Sequence, residues 1–254
     1  MQGDRQEIEA LVTAYKILVN EGVLDGFGHI SIRSSIHPDR FFMPRAMPPS
    51  LVEAEDLVEL DVATSQPVEP RGRRVNGERY LHGEIYKART DVNAIIHSHS
   101  PAVIPLTIAG ISLQPVIVQA GFMPLEVPMF EIRDVRGAGV GMQITDTPRG
   151  AALAKTLGQS PVALLRGHGN VVVGTSIKQA SVFAIYTEIN ARVQLQALSL
   201  GREIMTLDEA EQFGPADFDI NRPWEHYRLK SAGEAAKRSV DRAQFGLDQT
   251  QTPV

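Results

Sequence analysis

The sequence predicts an α/β domain in which helices pack against a layered sheet of short strands. Segments with apolar residues at 3.6-residue spacing alternate with short apolar runs bounded by glycine, proline or asparagine. The connections are too irregular for a doubly wound parallel sheet, and no Gly-x-Gly-x-x-Gly follows a strand, so a dinucleotide cofactor is not indicated. We expect one domain over residues 1–230, followed by a polar, disordered tail over 231–254.

The first half of the chain begins with a helix over Asp4–Asn20, where Asp4 with Glu7 resembles a capping box. A glycine turn then leads into an alternating strand, with Ile30 and Ile32 on one face and Ser31 and Arg33 on the other. A helix is expected over 78–89, and short strands at 29–33, 41–43, 57–61 and 93–100, the last of which ends in a pair of histidines.

The second half contains the longest predicted helix, which begins after Ser176 as N-cap and stops at Gly201. Shorter helices are expected at 101–109, 148–157 and 206–213, and strands or extended pieces at 116–118, 127–130, 143–145, 162–165 and 171–173.

Composition limits the classes of function. The formal net charge is −5 without a basic run, so a nucleic-acid partner is not expected. With no cysteine in the chain, a metal must take imidazole or oxygen ligands. Residues 1–9 are polar and acidic, unlike a signal peptide, and no apolar run approaches the length of a membrane span. We therefore expect a soluble, cytoplasmic protein without a membrane partner.

Three histidines stand at the ends of apolar strands. His97 and His99 lie two apart, so a strand places them on one side, roughly 6.5–7 Å apart at the backbone. His168 lies between two glycines, at a predicted tight bend between strands. Three imidazoles can bind one metal ion and leave a position open for a reactant. Ordinary exposed or hydrogen-bonded histidines are the alternative, and residue types alone leave both open.

The predicted helix over 78–89 carries Glu78, His82 and Tyr86 on one face. A carboxylate at a helix start is usually a favourable partner of the helix dipole, which is the simpler explanation of Glu78. Its position shortly before the strand with the histidine pair supports a role in the site as the alternative, but the residues alone favour the dipole partner.

Taken together these motifs resemble the class II aldolase/adducin family. The resemblance covers residues 5–200 and rests on Gly28-His29-Ile30-Ser31-Ile32-Arg33, Glu78 with His82 and Tyr86, His97-Ser98-His99 and Arg166-Gly167-His168-Gly169. It implies a three-layer α/β/α domain with a central, mainly antiparallel sheet, and a homotetramer. By resemblance, His97, His99 and His168 hold a divalent metal, zinc first with manganese, cobalt or iron as alternatives, and Glu78 is the acid/base carboxylate.

The departures from the family's sugar-phosphate aldolases concern their phosphate-binding groups. His29 replaces an asparagine, Arg45-Ala46 replaces a hydroxyl-glycine pair after Pro44, and Asn76-Gly77 replaces two serines. A phosphorylated sugar is therefore not expected as substrate.

The remaining pocket resembles a branch of the family that decarboxylates hydroxylated aromatic or pyridine dicarboxylates, such as dihydroxyphthalates. Gly28 and His82 would line it, and the planar fork of Arg45 would bind a carboxylate, although an ordinary surface arginine is the alternative. Glu78 or His29 would supply a proton to the ring carbon.

The resemblance leaves the role of Tyr227 and the reaction class open. Tyr227 would act as a catalytic residue in a neighbouring subunit's pocket, or else merely pack beside Trp224. An aldolase acting on an unphosphorylated hydroxy-acid or aldehyde, and a non-catalytic adducin-like module, are the competing functions.

Overall fold

The computed structural model describes residues 4–69, 74–135, 141–214 and 217–233. The helices in this part of the chain are Arg5–Asn20 (α1), Arg79–Ala88 (α2), Val103–Ala109 (α3), Thr147–Leu157 (α4), Ile177–Ser199 (α5) and Asn221–Ala232 (α6). The strands are His29–Arg33 (β1), Arg40–Pro44 (β2), Leu57–Asp61 (β3), Ala94–Ser98 (β4), Met129–Phe130 (β5), Val162–Leu165 (β6) and Gly169–Gly174 (β7).

The strands form one mixed, mainly antiparallel sheet in the order β3-β2-β1-β4-β7-β6-β5. The pairs from β3 to β6 are antiparallel, and β5 pairs with β6 in parallel. β1 and β4 lie side by side with His29 opposite His97. The end of β4 that carries His97 therefore lies at the centre of the sheet, next to β1 on one side and β7 on the other.

Helices cover both faces of the sheet, which confirms the three-layer α/β/α fold. Strand alternation gives each face its own core: Ile30 and Ile96 belong to one hydrophobic cluster and Ile95 to the other. The first cluster packs under α1, α3, α5 and α6, and the second under α2 and α4. The apolar faces of the strands hold the layers together, and polar residues of β1 meet α2.

Two segments predicted as strands or extended pieces, 116–118 and 143–145, form no strand among the described residues, because side chains accept from their backbone in place of a neighbouring strand. At 116–118, the backbone N–H groups of Val116 and Ile117 donate to Oδ1 of Asn190, at 2.8 and 3.3 Å. At 143–145, the N–H of Ile144 donates to a carboxylate oxygen of Glu78, at 2.8 Å. Short apolar runs of this kind do not reveal from sequence whether a strand or a side chain satisfies their backbone.

The predicted helix over 206–213 is wrong. The N–H of Leu207 donates to the carbonyl of Pro115, and that of Phe213 to the carbonyl of Gly121, at 2.8 and 3.2 Å. The segment is thus tied to a neighbouring loop rather than to its own preceding turn. Conversely, α6 was not predicted, because only Trp224 and Tyr227 of its early residues turn apolar surface inward.

The predicted capping box at the start of α1 is also wrong. The Asp4 carboxylate makes no cap hydrogen bond and instead accepts from the Ser34 hydroxyl and the Ser35 N–H, at 2.7 and 2.9 Å. Asp4 therefore ties α1 to the loop that follows β1.

Two further predictions concern the C-terminal tail and membrane-spanning helices. The polar tail predicted over 231–254 lies outside the described residues beyond residue 233, so the domain boundary stays a prediction. Among the residues described, no helix combines the length and the apolar character needed to cross a membrane.

Candidate metal centre and active site

The three histidines predicted as metal ligands converge at one end of the sheet. His97 stands in β4, His99 follows that strand, and His168 sits in the turn between β6 and β7. Their ring centroids are 4.8 to 5.1 Å apart. One ligand atom from each of four residues lies within 4.8 Å of the others: Glu78, His97, His99 and His168. This spacing fits a single ion bound among them.

His97 is oriented by β7. Its Nδ1 lies 3.1 Å from the carbonyl oxygen of Asn170, so Nδ1 carries the hydrogen and donates to that carbonyl. The lone pair of the neutral ring is then on Nε2, which is buried and has no hydrogen-bond partner among the described residues. A buried, unpartnered imidazole nitrogen aimed at other potential ligands is what a metal site requires before the ion binds.

His99 is oriented by a carboxylate that the sequence did not reveal. Its Nδ1 lies 3.1 Å from both oxygens of Asp25. Oδ1 of Asp25 in turn accepts from the backbone N–H groups of Phe27 and Gly28, at 2.9 and 2.8 Å. The carboxylate–histidine pair leaves Nε2 of His99 for a metal, as in many metal centres.

His168 depends on close contact between the β6–β7 turn and β4. Gly169 has φ of +149°, and a Cβ at this position would lie 2.0 Å from the carbonyl oxygen of Ser98. Any side chain there would push the turn away from β4. The N–H of Gly167 donates to the hydroxyl of Thr107 at 3.0 Å, which fixes the other side of the turn.

Electrostatics keeps these ligands in the form that binds metal. Burial lowers the pKa of His97 and of His168, so both rings are neutral at physiological pH. Burial alone would raise the pKa of Glu78, but its contacts with the imidazoles of His29, His97 and His168 outweigh burial, and the pKa falls well below its ordinary value. Neutral imidazoles beside an ionised carboxylate form a donor set that fits a divalent cation.

Glu78 stands immediately before α2 and faces the histidines. Its carboxylate oxygens lie 3.8 Å from Nε2 of His97, 3.8 Å from Nε2 of His168 and 3.6 Å from Nε2 of His29. The N–H of Ile144 donates to Oε1 at 2.8 Å and holds the carboxylate in place. Glu78 is therefore close enough to exchange a proton with a reactant bound among the histidines.

His29 and His82, predicted as site residues, lie beside this cluster. The His29 ring centroid is 5.0 Å from that of His97, and Nδ1 of His29 lies 2.7 Å from Nε2 of His82. Gly28 brings the chain close to β4, since a Cβ there would lie 3.2 Å from the His97 carbonyl oxygen and 2.7 Å from Leu24. Burial lowers the pKa of His82 well below its ordinary value, so this ring is neutral.

Arg45 and Tyr227, also predicted as site residues, make their contacts with residues other than the four of the metal centre. Nε and Nη2 of Arg45 both lie 3.1 Å from Oδ1 of Asp56, where β2 ends. Tyr227 of α6 belongs to the hydrophobic cluster on the opposite face of the sheet from α2. Burial raises its pKa, so the phenol is protonated. The binding role of Arg45 and the role of Tyr227 in a neighbouring subunit stay predictions.

Several groups that position site residues were missed by sequence reasoning: Asp25 beside His99, Ile144 beside Glu78, Asn170 beside His97, and Ser31, whose hydroxyl lies 2.7 Å from Nδ1 of His82. They act through a carboxylate, a hydroxyl and two backbone groups, and none stands in a motif with its partner. Only Asp25 offered a local indication, because an aspartate before Gly26 is typical of a turn.

The fold and site together define a chain arranged to bind a divalent metal beside an ionised glutamate. Residues 9–195 match the family described as Class II Aldolase and Adducin N-terminal domain, so this chain belongs to that family.

Two relatives extend the match along most of the chain. Decarboxylase tropJ of Talaromyces stipitatus is 34% identical over 247 residues, which cover 93% of this chain and 90% of that protein. The 3,4-dihydroxyphthalate decarboxylase of Arthrobacter keyseri is 29% identical over 240 residues, covering 86% and 91%. The L-fuculose 1-phosphate aldolase from Glaciozyma antarctica PI12 matches the fold with a TM-score of 0.72, at 24% identity and 90% coverage of both chains.

Proposed function

We propose that this protein is a metal-dependent carbon–carbon lyase that decarboxylates a hydroxylated aromatic or pyridine dicarboxylate, such as a dihydroxyphthalate. The observation that carries the proposal is the convergence of three imidazoles, those of His97 and His168 neutral, and the ionised Glu78 within 4.8 Å of one another. The two relatives named as decarboxylases, each matched over most of its length, give the reaction class. A non-catalytic module would have no use for this buried set of ligands.

His97, His99 and His168 would hold the cation, with zinc as the first choice and manganese, cobalt or iron as alternatives. When bound, a divalent cation supplies a Lewis acid that stabilises negative charge on an oxygen next to the leaving carboxylate. The chain's own contribution is to orient the ring of His97 through the Asn170 carbonyl and that of His99 through the Asp25 carboxylate, and to keep the rings of His97 and His168 neutral through burial.

Glu78 would carry the proton. Ionised at rest, it can accept the hydrogen of the substrate's ring hydroxyl as the substrate binds. When the carbon–carbon bond breaks and carbon dioxide leaves, its electron pair remains on the ring carbon. Glu78 then returns the proton to that carbon, and the ring hydroxyl regains its hydrogen from water. The N–H of Ile144 holds the carboxylate in place throughout.

The substrate's second carboxylate would be bound at the rim of the site. Arg45 is our candidate, sharing its guanidinium between Asp56 and the substrate. We further propose a homotetramer in which Tyr227 of one subunit reaches the site of its neighbour.

The test is a screen for carbon dioxide release. The purified protein, loaded with zinc, manganese or cobalt, is incubated with a panel of hydroxylated phthalates and pyridine dicarboxylates, and with the chelator-treated protein as control. We expect metal-dependent release from at least one of them. Aldehyde formation from an unphosphorylated hydroxy-acid, without release from any dicarboxylate, would make the protein an aldolase; no metal binding and no activity would make it a binding module.

A further inference from the structure

A continuous chain of buried hydrogen bonds connects the site to the interior of the protein. It begins at His29, whose Nδ1 lies 2.7 Å from Nε2 of His82. Nδ1 of His82 lies 2.7 Å from the hydroxyl of Ser31, which lies 2.8 Å from the hydroxyl of Tyr86. All four residues are at most 2% exposed. Each of these three contacts can hold only one hydrogen. If Ser31 accepted from both His82 and Tyr86, its own hydrogen would be buried without an acceptor. The hydrogens therefore point along the chain in one direction, either away from Tyr86 or toward it.

The hydroxyl of Tyr86, the last group of the chain, decides in which direction the hydrogens point. Burial raises the pKa of Tyr86, so its phenol keeps its hydrogen. Within the described part of the chain, that hydroxyl makes its hydrogen bond only to Ser31. If Ser31 donated to Tyr86, the phenol hydrogen would be buried without an acceptor, which disfavours this direction roughly tenfold or more. Tyr86 therefore donates to Ser31, and Ser31 donates to Nδ1 of His82.

The same reasoning fixes both imidazoles. A neutral ring has one hydrogen, so His82, accepting at Nδ1, carries its hydrogen on Nε2 and donates it to Nδ1 of His29. His29, accepting at Nδ1, must carry its own hydrogen on Nε2. That nitrogen is buried, has no hydrogen-bond partner among the described residues, and lies 3.6 Å from the carboxylate of Glu78.

We propose that Tyr86, Ser31 and His82 are positioning residues that hold His29 as the Nε2–H tautomer, so that it donates a hydrogen bond to an oxyanion of the substrate. A nitrogen that carries a hydrogen cannot bind a metal. His29 therefore stays outside the ligand set, although its ring is as close to His97 as the rings of the metal ligands are to one another. The substrate half of this inference rests on the proposed function; the tautomer does not.

The tautomer can be measured without substrate. Long-range proton–nitrogen correlation spectra of the zinc-loaded protein, labelled with nitrogen-15 at histidine, distinguish the two neutral forms of each ring, and His29→Gln and His82→Gln spectra give the assignments. We expect both His29 and His82 to carry hydrogen on Nε2. Hydrogen on Nδ1 of His29 would overturn the proposal, whatever the activity.

Two variants test the chain itself. Ser31→Ala leaves Nδ1 of His82 and the hydroxyl of Tyr86 unpartnered in either direction, so neither direction is favoured; we expect about half of His29 to change to the Nδ1–H form and KM to rise about twofold. His82→Glu places an acceptor beside Nδ1 of His29 and should reverse the tautomer, raising KM roughly tenfold with kcat much less affected. If His82→Glu does not fold, Ser31→Ala alone decides, and an unchanged His29 tautomer there contradicts the proposal.

Two matched controls separate this role from packing. Ser181→Ala removes a hydroxyl that is equally buried but has no partner among the described residues. Tyr15→Phe removes a buried phenol that contacts the backbone of Ile30 on the other face of β1. Neither should change the His29 tautomer or KM. A correct tautomer without carbon dioxide release would refute the proposed reaction and leave the hydrogen-bond chain intact.

Discussion

Each end of β1 carries a buried or half-buried polar side chain, Arg33 or His29, and the two differ in how their hydrogen-bonding groups are satisfied. At one end, the guanidinium of Arg33 donates to four backbone carbonyls, those of Pro38, Tyr86, Arg89 and Val92, at 2.6 to 3.1 Å. At the other end, the Nε2 of His29 has no partner among the described residues, and neither does the Nε2 of His97 opposite it. Both ends meet the same helix, α2.

The difference separates structural from functional polarity. Arg33 uses its donors to satisfy carbonyls where loops and a helix end, so its hydrogen bonds stabilise the fold. The histidine end keeps buried nitrogens unpartnered, which costs free energy in the metal-free protein. Such a cost is expected where a ligand supplies the missing partners. Variants at the histidine end should therefore lose function, and variants at the arginine end should lose stability.

The largest effect is expected for His168→Ala. Two imidazoles cannot hold the cation as three do, so metal affinity should fall more than about 100-fold and carbon dioxide release roughly 1000-fold. Metal content of the purified variant and its initial rate are the measurements. His37→Ala, which removes an exposed histidine, is the control. If the His168→Ala protein were fully metallated and active, the conclusion that the histidine end serves function would be contradicted.

Glu78→Gln should be the next most severe. The variant keeps an oxygen for the N–H of Ile144 but cannot carry a proton, so we expect kcat to fall about 100-fold or more with metal content unchanged. Glu84→Gln, which changes another buried glutamate of α2, paired with Lys87, is the matched control. Full activity in Glu78→Gln would remove this carboxylate from the mechanism.

Arg33→Met tests the structural end. Leaving backbone carbonyls without donors should lower the free energy of unfolding by about 2–4 kcal/mol, measured by urea denaturation, while metal content stays the same. Arg40→Met removes a partly exposed pair with Glu59 and should cost less than about 1 kcal/mol. Loss of metal without loss of stability in Arg33→Met would contradict the division between the two ends.

Asp25→Asn should give the smallest change. An amide can still accept from His99 but no longer carries the charge that favours this ring orientation, so metal affinity should fall about 10- to 100-fold with the fold unaffected. Competition with a chromophoric chelator measures this affinity. Asp91→Asn, at a similarly exposed aspartate paired with Arg89, is the control, and equal affinities in the two variants would exclude a role for Asp25.

The sequence predicted those parts of the molecule that show a periodic apolar pattern or a recognisable motif. α1, α2 and α5 follow from apolar spacing. Strand alternation and a glycine-flanked turn predicted that His97, His99 and His168 converge, and they do, although β4 ends at Ser98 and His99 lies just beyond it. The groups that orient the ligands could not be predicted in this way. Asp25 and His99 are 74 positions apart, and Asn170 acts through its backbone carbonyl.

The same limit explains the errors in secondary structure. At 206–213 the N–H of Leu207 donates to the carbonyl of Pro115, and at 116–118 the N–H of Val116 donates to Oδ1 of Asn190, so tertiary hydrogen bonds overrode local preference. Local sequence contains no record of such distant partners.

Gly169 has a practical consequence for anyone who wishes to redirect this protein toward other acids. Because the turn around His168 forms part of the site, saturation libraries would naturally include it. A β-carbon at 169 would overlap the carbonyl of Ser98, so every member altered there should misplace a histidine before it meets any new acid. Libraries that leave 169 untouched and vary exposed loop positions, such as Phe27, should yield more variants that still bind metal.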